Sequence, residues 1–521
     1  MYSFIPSWYG NAKSWVRDAR IWYKAGDQME FDDTVNQIKM FQMAGEDVEI
    51  VLLGCIPYLR HFLHREQIDG AAVWSVFDQI QNIKGNTARQ IHLNEYSWPD
   101  DIEWSYTPFL MIGYKKGALY TKAEFNEEGW WVEAVFYEND LPVRRIHLDD
   151  RGFISYTENY QNGEPVWRFY YDRKGRWQIK EDIKRNNVYV NPAFSNRFRR
   201  TSYGDLGQLI EEVLDKHLKE RTENSLIIAF DERHNEIIQK ALQNTEKKRK
   251  AAYSVFSHRT GKLLPSSLES RIMENRLIVT DTEYLADQIR NQFPQYSENV
   301  QDMSPYDARL ALGKSSTISA LKILFYFNTD AFDRYENALI RIFHYMEKER
   351  KAFLTVGIGR HIEGAYAVNT MKMKLAEIME SIGAAYRFDD EIENIAENET
   401  EEKAEPRIAV RECRSETQII EVLSDHRIIF DPGSVPDLYL QIAGISAGLP
   451  IILRTKSQYV SHRENGWILE NDDELWKALD YYLGSLSNWN RSLIWSLRRI
   501  GEYANGNIVE RWKTAMDALS T

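Results

Sequence analysis

The residues able to do chemistry sit in a few short stretches. Asp231 with His234, in "FDERH", and His258 with Arg259, in "FSHR", follow apolar runs that read as strands, where acid–base groups can be presented. Spacing fixes no partner for either pair, so surface or cleft-lining roles are the expectation. "LGKSST" (312–317) has the Gly-Lys-Ser of a phosphate loop but carries Ala308 where that loop needs its first glycine, and it precedes a strand instead of following one. "GIGRHIEG" places Gly357, Gly359 and Arg360 at a strand end without a third glycine at dinucleotide spacing, so a tight turn is expected. HExxH and clustered His/Cys patterns are absent, and no catalytic residue, metal or cofactor is assigned.

Two further stretches bracket one candidate cleft. "NTDAFDRYE" follows the apolar strand "KILFYF" and brings Asn328, Asp330 and Asp333 ahead of Arg334. "VPDLYLQIAGISAGLPIIL" (435–453) reads as a polar turn, a helix of small residues, a Gly448-x-Pro450 turn and a buried strand. Near its start and along that helix lie Ser434, Gln441 and Ala443.

The elements that must carry these residues are two βα series. "YSFIP", "TVNQIKMFQMAG" and "VEIVLLG" form a βαβ unit, with apolar residues near helical spacing and Gly45 closing the helix. The pattern returns after residue 191 and opens again at "ALKILFYFNTD". Between about 104 and 190 the texture changes. Glycines at 117, 129, 152, 163 and 175, with Asn139-Asp140 filling the gap, recur every 11–12 residues between aromatic and β-branched runs. That spacing predicts an antiparallel meander of about six strands. Its Trp130, Trp131, Trp167, Tyr170 and Trp177 are candidate docking aromatics, with cross-strand packing as the alternative.

The expected architecture is α/β: two Rossmann-like domains facing a cleft, the first (1–103 and 191–315) interrupted by the meander (104–190), the second spanning 316–521 and closed by a helical tail. At 521 residues the chain exceeds one ordinary core. A net charge of -13 argues against nucleic acid as a partner. The basic runs "KKRK" (247–250) and "NRFRR" (196–200) are candidate anchors for acidic lipid, with a solvated surface as the bland reading. Residues 389–405 are strongly acidic and read as a solvated loop. The two cysteines imply no disulfide framework, and the N-terminus has no secretory pattern. A cytoplasmic location with any membrane contact peripheral is therefore expected.

The stretch "IIFDPGSVPDLYLQIAGISAGLPIILRTKSQYVSHRENGWILENDDELWKAL" resembles the donor half of GT-B glycosyltransferases. The meander is similar to the sheet inserted in the glucosyltransferases of serine-rich repeat adhesins. "FIPSWY", "SPYDARLALGKS" and "PDLYLQIAGISAGLP" resemble, in order and spacing, the first accessory secretory protein family of the accessory Sec system of Gram-positive cocci. The resemblance covers essentially the whole chain. It implies a subunit working with two companion accessory secretory proteins to help a SecA-like ATPase and a SecY-like channel export a serine-rich repeat adhesin preprotein.

A working donor site needs cations and helix amides for a diphosphate, and carboxylates for sugar hydroxyls. Here Asp330 and Asp333 enter where cations are needed. The glutamate positions fall at about Val435 and Ala443, with Gln441 a neutral neighbour, and the glycine-rich loop after the first strand is replaced by "SWYGNAKSW". Asn328, Asp330, Gly357, Gly359, Arg360, Ser434, Gln441 and Ala443 thus mark a degenerate donor cleft on a non-catalytic scaffold. The alternatives are an active glycosyltransferase acting on Ser/Thr-rich repeats and a lectin-like chaperone acting alone.

Overall fold

The computed structural model describes residues 1–10, 14–17, 32–108, 110–221, 223–244, 249–260, 268, 270–328, 332–360, 362, 367–389 and 406–519. Asp330, Lys247 and Lys248 lie outside the described residues, as does the acidic run beyond Asp389. The chain divides into two compact units. One comprises Met1–Gln28, Asp33–Met303 and Trp512–Thr521; the other comprises Met29–Asp32 and Ser304–Arg511.

The first unit is built on a seven-stranded parallel sheet. Its order is Val300–Asp302, Leu277–Thr280, Ala251–Val255, Ser225–Ala229, Tyr2–Ile5, Val48–Leu52 and Ala72–Ser75. The central strands are buried on both faces, which is why they read as continuous apolar runs. Helices such as Leu206–Glu220, capped by Asp205, bury Leu209, Ile210 and Leu214 in the same core.

Between Ala72–Ser75 and Ser225–Ala229 the chain makes a ten-stranded antiparallel sheet in which each strand pairs with the next, from Ile102–Tyr106 to Ser202–Tyr203. The turns expected at 117, 129, 152, 163 and 175 all hold their glycine at positive φ, and Asn139 and Asp140 also adopt it. Lys116-Gly117, Asn139-Asp140 and Asn162-Gly163 have both central residues left-handed, the geometry that continues strand twist through a two-residue turn. The strand count exceeds the six or so expected because short strands such as Asn187–Val190 and Ser202–Tyr203 carry no glycine-punctuated signal.

Buried charge ties this sheet to the parallel one. Arg151, 3% exposed, forks onto Asp149 (2.7 and 2.9 Å) and onto Asp78 (2.8 and 2.9 Å) of the helix Val76–Gln81. The neighbouring Asp150 accepts the amides of Arg60 (2.6 Å) and His61 (3.2 Å) at the start of Leu59–Arg65, and meets the Arg60 guanidinium at 2.8 Å. Tyr156, Tyr170, Ile179 and Val188 then share a core with Phe77 and Leu209.

The second unit has its own seven-stranded parallel sheet. Its order is Arg387–Phe388, Pro406–Cys413, Ala352–Gly359, Leu321–Phe327, Ile428–Asp431, Ile451–Leu453 and Gly466–Ile468. The helices Glu336–Lys348, Ala367–Ile382 and Glu474–Leu483 pack into one apolar cluster. Glu416–Leu423, Leu438–Ser446 and Leu486–Glu502 pack into another. The final helix, Asn505–Ala518, runs from this unit into the first, where Trp512 meets Phe41 edge-on at 6.5 Å.

Removing Arg151 strands the buried Asp149 carboxylate and the half-buried Asp78 carboxylate. Arg151→Ala is expected to cost about 3 kcal/mol, read as a lower urea midpoint at unchanged slope.

Candidate functional site

In the second unit, the strand Leu321–Phe327 delivers Asn328, and Ile428–Asp431 delivers Asp431 into the turn before the helix Leu438–Ser446. These are the carboxyl ends of parallel strands, where α/β folds place ligands. Asp437 is the N-cap of that helix: its Oδ1 accepts from the amide of Leu440 at 3.1 Å. Its Oδ2 lies 3.3 Å from both Tyr326 Oη and Asn328 Nδ2, which donate to it. Asp431, 2% exposed, accepts from the amides of Gly433 (3.0 Å) and Asp437 (2.8 Å). Burial pushes the Asp431 carboxyl up to about 7, and the negative Asp437 adds to the shift while those two amides oppose it.

The helix N-terminus that could receive a diphosphate therefore already holds the chain's own carboxylate. Arg360 joins the same arrangement. Burial works against its charge, but Asp437, Tyr306 and Tyr326 more than offset that and hold the guanidinium above its ordinary value. Gln441 is fully buried; its Nε2 donates to Asp437 O at 3.3 Å and its Oε1 accepts from Ser457 Oγ. Ala443 packs against the apolar cluster beneath. Ser434 is exposed, with its carbonyl accepting from Thr455 Oγ1 at 3.1 Å. The chain thus brings Asn328, Arg360 and Gln441 together around Asp437, while Asp330 lies outside the described residues.

Gly357 and Gly359 lie inside the strand Ala352–Gly359, not in a tight turn. A Cβ on Gly359 would stand 2.3 Å from Asn328 Oδ1, and one on Gly357 2.9 Å from Cys413 Sγ. Close packing against Asn328 and Cys413 accounts for both glycines. "SPYDARLALGKS" is a strap. Ala308, Ala311 and Lys314 donate their amides to the carbonyls of Tyr503 (2.9 Å), Ser446 (2.9 Å) and Ser424 (2.5 Å). A Cβ on Gly313 would sit 2.0 Å from Ser424 O, so that glycine serves packing instead of phosphate.

In the first unit, the loop after the first strand is likewise engaged in internal contacts. Trp8, 1% exposed, packs edge-on against Phe62 at 4.9 Å. Ser7 donates to Asp231. Tyr9 Oη donates to His234 Nδ1 at 2.5 Å, and His234 Nε2 donates to Ala229 O at 2.6 Å. Arg233 lies over the Tyr9 ring at 5.0 Å and donates to the carbonyls of Gly10 (2.8 Å) and Ser14 (3.3 Å). His234 is thus fully buried, against the expectation of a surface or cleft-lining role. Burial pushes it down to about 4 despite the attraction of Asp231. It is neutral at pH 7, and both ring nitrogens are spent on structure.

The docking aromatics separate in the same way. Trp131 (3% exposed) and Tyr170 (fully buried) are core residues, with Trp131 Nε1 donating to Glu133 O at 2.8 Å and Tyr170 Oη to Glu181 at 3.2 Å. Trp130, Trp167 and Trp177 are partly buried; Lys180 lies 4.8 Å from the Trp167 ring, and Trp177 meets Phe169 edge-on at 6.2 Å. In the basic run "NRFRR", Arg197 and Phe198 are half-buried while Asn196, Arg199 and Arg200 are exposed. Arg197 donates to the carbonyls of Gln79 (2.9 Å) and Ile80 (2.8 Å), and Arg199 pairs with Asp215 at 2.7 Å. Of "KKRK", Arg249 is buried and Lys250 pairs with Asp517 at 2.7 Å.

Sequence reasoning missed Asp431, Asp437 and Tyr326. The available signal was the Pro-Asp pair before an apolar helical run, an N-cap signature.

The fold is that of the GT-B glycosyltransferases. The pneumococcal O-GlcNAc transferase GtfA, solved with UDP and GlcNAc, matches it with a TM-score of 0.66 at 10% identity, covering 100% of this chain and 99% of that one. Within this class, the chain belongs to the accessory Sec system protein family of accessory secretory protein 1, whose family model matches residues 1–518. A Streptococcus gordonii relative in that family is 33% identical over 524 residues, 98% of each chain. A Streptococcus pneumoniae structure of accessory secretory proteins 1, 2 and 3 contains a chain with a TM-score of 0.82 at 27% identity, covering 100% and 99%. The chain's role accordingly lies in accessory secretion. No helix among the described residues is long and apolar enough to cross a membrane.

The buried His234 has a pH signature. Unfolded, it titrates near 6.5; folded, it refuses the proton until about 4. Between those values the unfolded state binds the extra proton, so stability falls as pH drops through the window. His234→Gln is expected to flatten that slope by up to about one proton, measured by urea unfolding at pH 4.5 to 7.

Proposed function

We propose that this chain is a non-catalytic GT-B scaffold of an accessory secretory complex, acting through protein contacts. The observation that carries this reading is the pair Asp431 and Asp437, which occupy the backbone amides and meet the cation a donor diphosphate would need. A diphosphate approaching Asp437 meets repulsion and finds the Leu440 amide taken. The degenerate donor positions at Ser434, Gln441 and Ala443 supply no carboxylate for sugar hydroxyls.

The proposed partners are the two companion accessory proteins, as in the pneumococcal assembly, with the accessory SecA-like ATPase and the serine-rich repeat adhesin preprotein as the machinery and cargo served. The proposed setting is cytoplasmic, with any acidic-lipid contact peripheral. In this reading the three-part organisation is a scaffold of two Rossmann-like domains, 1–103 with 191–315 and 316–521, presenting the inserted sheet as a docking module.

The test is calorimetric titration of the purified chain with UDP-GlcNAc and UDP-glucose, followed by assay for released UDP. The scaffold reading expects neither binding heat nor UDP release. Micromolar binding with turnover would establish the active-glycosyltransferase reading instead.

A further inference from the structure

The inserted sheet ends on the strand Ile102–Tyr106, and among the described residues nothing pairs with its outer side. We infer that this edge docks one extended segment of a partner protein as an eleventh strand. The inference rests on the scaffold reading and names the surface it uses.

Register fixes which backbone groups are available. Tyr106 stands opposite Met111, Ser105 opposite Ile112 and Glu103 opposite Tyr114, without a register shift. The amide of Thr107 donates to Leu110 O at 3.1 Å, which makes 107 an inward-bonded position. Alternation along an antiparallel strand then turns Ser105 and Glu103 inward and leaves Trp104 and Tyr106 with N–H and C=O pointing out. The outward amide of Ile102 is taken by Pro99 O at 3.2 Å, so Ile102 offers its carbonyl alone. Two donors and three acceptors therefore line up along about 13 Å of strand. What matches such an array is another extended backbone. No proline, lysine or bulge guards the edge within 102–106, and Glu103 is its one charge.

The side chains specify the segment. Trp104 and Tyr106 share one face. Trp104 rests edge-on against Trp98 at 4.9 Å, and Tyr106 is 75% exposed. Beside this end lies a cavity of about 310 Å³ lined by Pro108, Leu110, Met111 and Phe125 among others. An added strand would meet this face with apolar side chains at alternate positions. On the other face Glu103 is exposed, and Asp100 and Asp101 precede the strand; Lys115 pairs with Asp101 at 3.3 Å. That acidic border calls for a basic residue in the incoming segment. It disfavours a second copy of this chain, whose own Glu103 and aspartates would approach it.

The experiment uses the full chain with its two companion accessory proteins, mixed and purified as a complex. Residue-resolved hydrogen exchange should show the Trp104 and Tyr106 amides exchanging freely in the isolated chain and protected in the complex. Tyr106→Pro removes an outward N–H without touching an internal bond, and should weaken assembly by about tenfold or more with the thermal midpoint retained. Glu103→Lys, which leaves the backbone intact, should weaken it as well. A complex that forms with both amides unprotected, or with unchanged affinity for both variants, overturns the inference and leaves the scaffold reading standing. A dimer of this chain abolished by Tyr106→Pro overturns it too, by giving the edge to a second copy. Companions that never co-elute with the chain would remove the scaffold reading itself.

Discussion

A backbone amide withdrawn from water must have an acceptor, and at the start of the helix Leu438–Ser446 the chain supplies its own. Asp437 takes the Leu440 amide, and Asp431 takes those of Gly433 and Asp437. Tyr326, Asn328 and Arg360 are then oriented around Asp437. In a transferase, such amides and cations stand ready for a phosphate, at a cost in stability that ligand binding offsets. Here the amides of Gly433, Asp437 and Leu440 are taken by side-chain carboxylates of the chain itself.

The first unit reaches the same end by other chemistry. Its first-strand loop is filled by Trp8 and Tyr9, and Tyr9 locks onto a neutral, buried His234. Two separate parallel sheets each keep the GT-B architecture, and the loops holding Trp8, Tyr9, Asp431 and Asp437 make internal contacts. The inserted sheet, held by Arg151 between Asp149 and Asp78, ends on a strand with open backbone groups.

Much of this was legible beforehand, for physical reasons that also mark where legibility stops. Glycine and asparagine at two-residue turns announce themselves because few other residues take positive φ, so the meander's rhythm was plain. Continuous apolar runs gave the parallel strands. The missing glutamates and the bulky "SWYG" loop motivate the proposed reading of a degenerate site. Facing was harder to read. Trp130 and Trp131 are adjacent, so they point to opposite faces, and the sequence does not say which face is covered. The burial of His234 depends on Tyr9, 225 residues away, and that of Trp131 and Tyr170 on which face of a strand turns inward. Gly357 and Gly359 looked like a turn because a glycine required by a neighbouring side chain is indistinguishable, in sequence, from one required by φ.

The most direct test of the central claim, that the donor region is architecture and not chemistry, is made in the living cell. Ser434 and Val435 are exposed at the place a donor would occupy, and neither belongs to the core. Replacing both with tryptophan would obstruct any sugar-nucleotide without burying a new group. Surface display of the serine-rich repeat adhesin should then remain at its wild-type level. Loss of display, with the altered chain present at normal abundance and still bound to its companions, would contradict the account.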